Sequence, residues 1–384
     1  MRGIFNDNFP PVFDGVALTA KNYADCLYSK GKDVSVITPY SPGIAETPYP
    51  IYTYQSLPLV ARKPYRLGLP LTDYAFRMQL SQLKFQIVHA HCPFTSGRLA
   101  LKIAKKQNIP LVATFHSKYR QDLEHSFRTK LAVDMAIKYI ISFYEKAYEV
   151  WIPQAAVEPT LREYGYKGKV TVVDNGNDLV TTDDIRERFR RETRHTLGIN
   201  ENEIMLLFVG QHIWEKNIGF ILDSLALIPN MPYHLYMVGT GYAVSGIRKK
   251  IIKSGLDDKV TLLGVVRERE QLQRYYSAAD LFLFPSIYDN APLVVREAAA
   301  LHTPAAMLAG STASEIIRDG QNGFLTPNDV NAYAQLIVHL IEHPEELRKV
   351  GDNAAQTLTR SWDNVVDEVI ERYADICERF AKRG

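Results

Sequence analysis

The stretch DLFLFPSIYDNAPLVVREAAALHTPAAML, residues 280–308, spells out one strand–helix–strand unit. Its two apolar runs, DLFLFPS and PAAML, are of strand length and read as buried strands. Between them, Pro292 suits the first turn of a helix, where its missing N–H leaves no bond unmade. The same alternation runs along the chain. RGIFN, DVSVIT, FQIVHAH, PLVATFH, YEVWIP and KVTVVDNG are strand-like in the first half; IMLLFVG, YHLYMVG and KVTLLG follow in the second. Helical stretches separate most of them. In the first, Ala20, Tyr23, Ala24 and Leu27 recur at helical spacing before Gly31 closes the helix. Such alternation predicts an α/β protein built on mostly parallel, doubly wound sheets.

The rhythm breaks from Asn177 to Asn200, where DDIRERFRRETRH reads as a connection plus a surface helix. We therefore expect two Rossmann-like domains, residues 1–180 and 181–361, and a last helix from Trp362 with no strand after it. A chain of 384 residues is long enough for two such cores. Two doubly wound domains facing each other leave a cleft lined by strand C-termini, where α/β sheets place their ligands. There is no repeat of solenoid period and no low-complexity tract.

Three cysteines, Cys26, Cys92 and Cys377, are odd in number and widely spaced, which speaks against a disulfide framework. No apolar run reaches membrane-span length, and MRGIF opens on a strand rather than a signal peptide, so a cytosolic protein is expected. The net charge is +2, but residues 62–130 hold 13 basic and 3 acidic side chains. Two readings stand for that excess: a solvated surface, or a face that meets anionic lipid or an anionic acceptor.

Asp289 and Glu297 are eight residues apart, about two and a quarter helical turns. Both carboxylates can serve one ligand only if Asp289 lies in the loop and Glu297 on the helix. Backbone N–H groups around Leu293 and Val294 would then form a helix N-terminus suited to a diphosphate. This stretch resembles the carboxylate-x7-carboxylate motif of glycosyltransferase family 4, the group 1 glycosyltransferases. The resemblance implies a GT-B fold and a retaining, nucleotide-sugar-dependent enzyme. It assigns Asp289 to the donor sugar and Glu297 to the nucleotide ribose, with Asn290 and Ala291 in the donor loop. Two departures stand out: Asp289 is shorter than the family's usual Glu, and Pro292 replaces a Gly, removing one backbone donor.

Four further segments resemble the family's motifs. FVGQHIWEKNIGF supplies Gly210 and Lys216, the latter matching a Lys that neutralises the diphosphate. Gln211 stands at the usual Arg position, which leaves Lys216 and backbone donors to stabilise the leaving group. FPPVFDGVALTAKNY resembles the N-terminal Gly-rich loop, with Gly15 close to diphosphate and acceptor and Asp14 where a Gly is common. VATFHSKYR places His116 at a strand end, matching the His that contacts the sugar. TLLGVVRERE places the backbone of Val266 and Arg267 beside the nucleobase. Gly239 and Gly241 in MVGTGY lack the third glycine of a dinucleotide fingerprint and read as a cleft-facing turn. His89 and His91 share a strand face, but no further ligands at suitable spacing make them a metal site.

The resemblance covers nearly the whole chain and implies that the final helix packs back on the N-terminal domain. It implies transfer of a sugar, with UDP-sugar the expected donor, to a glycan or lipid-linked hydroxyl in cell-surface glycan or glycolipid synthesis. No cofactor is expected: the family is generally metal-free, and the chain has no D-x-D triplet. Nucleic acid is not an expected partner, whereas the inner face of a membrane is. Rival readings are a GT-B sugar-nucleotide epimerase or phosphorylase, a nicotinamide enzyme, and a non-catalytic sugar-nucleotide binder.

Overall fold

The structure is a computed structural model that describes residues 1–12, 14–44, 46–59, 65–127, 129–179, 181–200 and 202–383. The chain divides into two compact units, one formed by Met1–Asn175 with Trp362–Gly384 and the other by Gly176–Ser361. The first break falls five residues before the boundary expected near 180.

Unit one carries β1 (Arg2–Phe5), β2 (Val34–Pro39), β3 (Ile51–Tyr54), β4 (Ser56–Pro58), β5 (Arg66–Gly68), β6 (Ile87–Ala90), β7 (Leu111–Thr114), β8 (Glu149–Ile152) and β9 (Val170–Val172). Seven of them form a sheet in the order β3-β2-β1-β6-β7-β8-β9, while β4 and β5 make a separate hairpin. All pairings in the large sheet are parallel. Every residue of β2 is buried, as expected of a strand covered by helices on both faces. The helix Gly15–Ser29 starts at Asp14, whose side chain accepts a bond from the Ala17 N–H at 2.8 Å. Its buried stripe includes Ala20, Tyr23, Ala24 and Leu27. The last helix, Trp362–Ala381, lies against this unit: Tyr373 stacks on Trp151 at 5.7 Å between ring centroids, and Asp367 pairs with Lys30 at 2.9 Å.

Unit two carries β10 (Ile204–Val209), β11 (Tyr233–Val238), β12 (Val260–Gly264), β13 (Leu281–Leu283), β14 (Ala305–Leu308) and β15 (Phe324–Thr326) in the parallel order β12-β11-β10-β13-β14-β15. One apolar cluster, around Phe208, Leu235 and Ile337, covers one face of this sheet; a second, around Leu207, Phe282 and Val295, covers the other. The order reverses at β10, so the loops leaving β10 and β13 diverge to either side of a crevice at the strand C-termini.

The charged segment after the first break forms the helix Asp183–Leu197, and it does more than cover surface. Arg190 and Arg194 donate to the Ala278 carbonyl at 3.1 and 3.2 Å, and both pair with Asp280, which also accepts from the Met205 N–H at 2.7 Å. Charges that sequence patterning assigns to solvent therefore fasten the helix to the start of β10 and β13. Where the chain enters and leaves unit two, the Asn177 N–H donates to the Arg360 carbonyl at 2.8 Å.

Candidate active site

In unit two, β10 leads into a loop of Gly210, Gln211 and His212, and β13 runs parallel beside it into the loop carrying Asp289. That neighbour relation brings Lys216 to Asp289, and the two form an ion pair. Both are largely buried, at 14% and 15% exposure, so the pair is poorly screened by water. Lys216 closes a short 3-10 turn, Trp214–Lys216, ahead of the helix Ile218–Ala226 rather than starting that helix. The turn reverses at Asn217, which has φ 60° and donates to the Pro285 carbonyl at 3.1 Å, tying the two loops together. The Lys216 ammonium also lies 5.6 Å from the Phe284 ring centroid and 5.8 Å from that of Tyr288, within cation–π range.

The second oxygen of Asp289 accepts a bond from Ser286 Oγ at 2.6 Å. Ser286 Oγ in turn accepts from the Tyr288 N–H at 3.3 Å, so the loop is wound around one serine hydroxyl. Asn290 is buried and Ala291 half-buried where this loop turns into the helix. Pro292 caps the helix Leu293–Ala300 from outside, one residue earlier than its expected place in the first turn. The Leu293 and Val294 N–H groups stand in the first turn of that helix, where they lack intrahelical acceptors.

Glu297 is on the same helix, buried to 4% exposure. Its two oxygens are held separately: Arg269 donates to one at 2.8 Å and the Tyr276 hydroxyl to the other at 3.0 Å. Arg269 also pairs with Asp178. Burial alone would lower the Arg269 pKa, but the two carboxylates outweigh it and hold the guanidinium above its ordinary value. Arg269 opens the helix Arg269–Ala278, two residues after the expected base-contacting pair. Of that pair, Val266 is half-buried against the core and Arg267 is exposed.

Gly239 and Gly241, read from the sequence as a turn, are required by close backbone packing. A Cβ on Gly239 would come within 1.9 Å of the Gly210 carbonyl oxygen, and one on Gly241 within 2.4 Å of that of His212. Both glycines let the loop after β11 lie directly on the loop after β10. His212 beneath them is buried, and burial pushes its pKa down to about 4.

In unit one, Gly15 is the first helical residue, and a Cβ there would meet nothing within 4 Å. Asp14 beside it is the helix cap, which gives this departure from the family's Gly a structural role. Burial raises its carboxyl pKa, against the opposing Ala17 bond. His116 lies two residues beyond β7, half-buried, with its Nε2 3.1 Å from His91 Nδ1. Burial pushes the His116 pKa down to about 3, so the ring is neutral at physiological pH. Ser286, Tyr276, Arg269 and His91 all hold candidate residues; no sequence motif assigned any of them that role, and His91 stood out only as half of a rejected metal pair.

The sequence profile of the group 1 glycosyl transferases matches residues 189–357, and that of glycosyltransferase family 4 matches residues 13–180. The chain belongs to the family 4, group 1 glycosyltransferases. Among relatives of this glycosyltransferase is the alpha-monoglucosyldiacylglycerol synthase of Acholeplasma laidlawii, 26% identical over 98% of this chain and 95% of that protein. Sucrose-phosphate synthase from Thermosynechococcus elongatus superposes with a TM-score of 0.81 at 21% identity, covering 98% of this chain and 99% of that one. Anabaena HepE, solved in complex with UDP and glucose, superposes with a TM-score of 0.79 at 17% identity, covering 97% of this chain and 99% of that one. The fold of this glycosyltransferase is GT-B, as these likenesses show.

Proposed function

We propose that this glycosyltransferase is a retaining hexosyltransferase that moves a sugar from a UDP-sugar to a hydroxyl of a lipid-linked or glycan acceptor. The observation that carries the reading is the meeting of Lys216, Asp289 and the Leu293 helix N-terminus at adjacent strand ends of unit two, with Glu297 one turn further along the helix. The chemistry of these groups fits a nucleoside diphosphate sugar: a cation and backbone donors for the diphosphate, and carboxylates for hydroxyls. The Acholeplasma relative's name specifies an alpha-glucosyl lipid, and UDP-glucose is itself alpha-linked, which supports retention and a glucolipid product.

In this reading Glu297 accepts hydrogen bonds from the ribose hydroxyls, oriented by Arg269 and Tyr276. Asp289 accepts from the sugar hydroxyls, and Lys216 shifts from Asp289 toward the diphosphate as negative charge develops there. The departing diphosphate takes the proton of the acceptor hydroxyl as the new bond forms on the same face of the sugar. Lys216 and the Leu293 and Val294 N–H groups stabilise that charge. His116 contributes a neutral imidazole to the donor sugar. No cofactor takes part.

Unit one supplies the acceptor side and an approach to anionic membrane. Leu67, Leu71, Tyr74, Met78, Leu131, Met135 and Tyr139 are exposed on it, with Lys130 and Lys138 near the last three. Arg62, Lys63 and Arg128, expected in that surface, lie outside the described residues. Two other expected members are engaged within the unit: Arg66 donates to Ser56 Oγ at 2.7 Å, and Arg120 pairs with Asp134 at 2.9 Å. Among the described residues, no helix is long and apolar enough to cross a membrane.

The test is incubation with a panel of radiolabelled nucleotide sugars and diacylglycerol dispersed in anionic detergent. Labelled glycolipid from a UDP-sugar is expected. Tight UDP-sugar binding without transfer to any lipid or glycan acceptor would favour a non-catalytic binder.

A further inference from the structure

His116 belongs to a stack of three histidines. The His89 and His91 rings lie 4.2 Å apart at 29°, and His91 and His116 lie 5.3 Å apart at 19°. His89 is fixed at both nitrogens, with Nδ1 2.6 Å from the Tyr373 hydroxyl and Nε2 2.7 Å from Thr114 Oγ1. The edges of Tyr23 meet His91 at 5.1 Å and His89 at 5.5 Å. His91 is therefore clamped between His89, Tyr23 and His116, and its Nδ1 faces His116 Nε2 at 3.1 Å. We propose that His91 is a positioning residue: it donates from Nδ1 to His116 Nε2 and so holds His116 as the tautomer protonated at Nδ1. The inference rests on the reading that His116 serves the donor sugar.

The direction of that bond follows from the far side of His91. Its Nε2 is buried and has no hydrogen-bond partner among the described residues. If His116 were the donor, His91 would have to carry its proton at Nε2, burying an N–H with nothing to receive it. If His91 is the donor, Nε2 is a bare lone pair, and a buried acceptor left unpaired is the more tolerable of the two. A doubly protonated His91 is excluded separately, because burial, followed by the neighbouring His89 and His116, lowers its pKa well below the ordinary value. With Nε2 accepting the hydrogen bond from His91, the neutral ring of His116 carries its own hydrogen at Nδ1. His116 then acts on a sugar oxygen as a neutral donor rather than as a base. His91 sets this polarity without touching substrate, and the last helix, through Tyr373 and His89, sets His91.

The experiment is a long-range 1H–15N correlation spectrum of the full chain with 15N-labelled histidine, in which His116→Gln assigns the His116 signals. The expected pattern is a protonated Nδ1 and a bare Nε2 for His116. In His91→Leu the pattern should move toward the Nε2-protonated form that free histidine prefers. In His91→Asn, whose amide nitrogen overlays the imidazole Nδ1, it should stay as in the unmodified chain. With UDP-glucose as donor, His91→Leu should lose about 10–100-fold in kcat, the scale of losing the partner that orients a metal-bound imidazole. Its KM for UDP-glucose should stay within about threefold, and His91→Asn should recover kcat to within about fivefold. An Nε2-protonated His116 in the unmodified chain overturns the inference, whether or not His91→Leu folds. So does a His91→Asn variant as impaired as His91→Leu. Full activity of His116→Gln would instead overturn the reading on which the inference rests, and the spectrum would still decide the tautomer.

Discussion

Replacing Lys216 with methionine keeps the length of the side chain and removes its charge, so packing against Phe284 and Tyr288 is largely retained. Asp289 then loses its ion-pair partner at 15% exposure, while Ser286 still donates to its other oxygen at 2.6 Å. Breaking a fully buried pair costs about 3–5 kcal/mol, and breaking an exposed one about 0–1. The site lies between these limits and keeps one hydrogen bond, so a stability loss of about 1–3 kcal/mol is expected. Neutralising the orphaned carboxylate should reverse part of it: Lys216→Met with Asp289→Asn should be more stable than Lys216→Met alone. Turnover should fall further, because Gln211 carries no charge with which to replace the ammonium. Losing one main electrostatic stabiliser costs about 3 kcal/mol, or about 100–1,000-fold in kcat. Gln211→Arg should leave turnover intact or raise it. Urea unfolding measures the first quantity and UDP release from UDP-glucose with acceptor measures the second. A Lys216→Met enzyme within about threefold of the parent kcat would refute the assignment of this cation to the diphosphate.

Other perturbations test separate parts of the account. Glu297→Gln should weaken UDP itself by about 1.5–3 kcal/mol in calorimetry, the value of a charge-assisted bond, whereas Asp289→Ala should spare UDP and abolish transfer. Stability should fall as pH drops below about 6.5, where histidines ionise in the unfolded chain but burial keeps His89, His91 and His116 neutral in the folded one. For His116 the loss runs down to its folded pKa of about 3, at about 1.4 kcal/mol per pH unit, and acid titration of urea midpoints would show it. Transfer should persist in excess EDTA; loss with chelator and return with Mg²⁺ or Mn²⁺ would contradict the cofactor-free mechanism. The protein should sediment with anionic but not neutral liposomes at low salt, at about 1 kcal/mol per basic residue near the surface, and Leu131→Glu with Met135→Glu should weaken this.

Fold class was legible because parallel strands buried on both faces read as near-continuous apolar runs, and β10, IMLLFV, is of that kind. The Asp289 loop and the Glu297 helix were legible for a related reason: loop, Pro292 and helix follow one another within a few residues. Partners from elsewhere in the chain were not. Glu297 is oriented by Arg269, 28 residues away on another helix, and His116 by His91, 25 residues away just past the end of β6. Periodicity says which face a residue occupies and nothing about what meets it there. Gly239 and Gly241 show the same limit, since the backbone that excludes a side chain belongs to another loop. The charged helix Asp183–Leu197 misled in the opposite direction, because Arg190 and Arg194 look solvated until Asp280 and the carbonyls beside it are seen.

The central claim is that sugar leaves UDP and joins the acceptor on one face, in a site built on Lys216, Asp289 and Glu297. The most direct measurement is the anomeric configuration of the product made from UDP-α-glucose, read from the 1H coupling constant at the anomeric carbon of the purified glycoside. The account predicts the alpha anomer, with formation abolished by Asp289→Ala. A beta-linked product, or an alpha-linked product formed undiminished by Asp289→Ala, would contradict it.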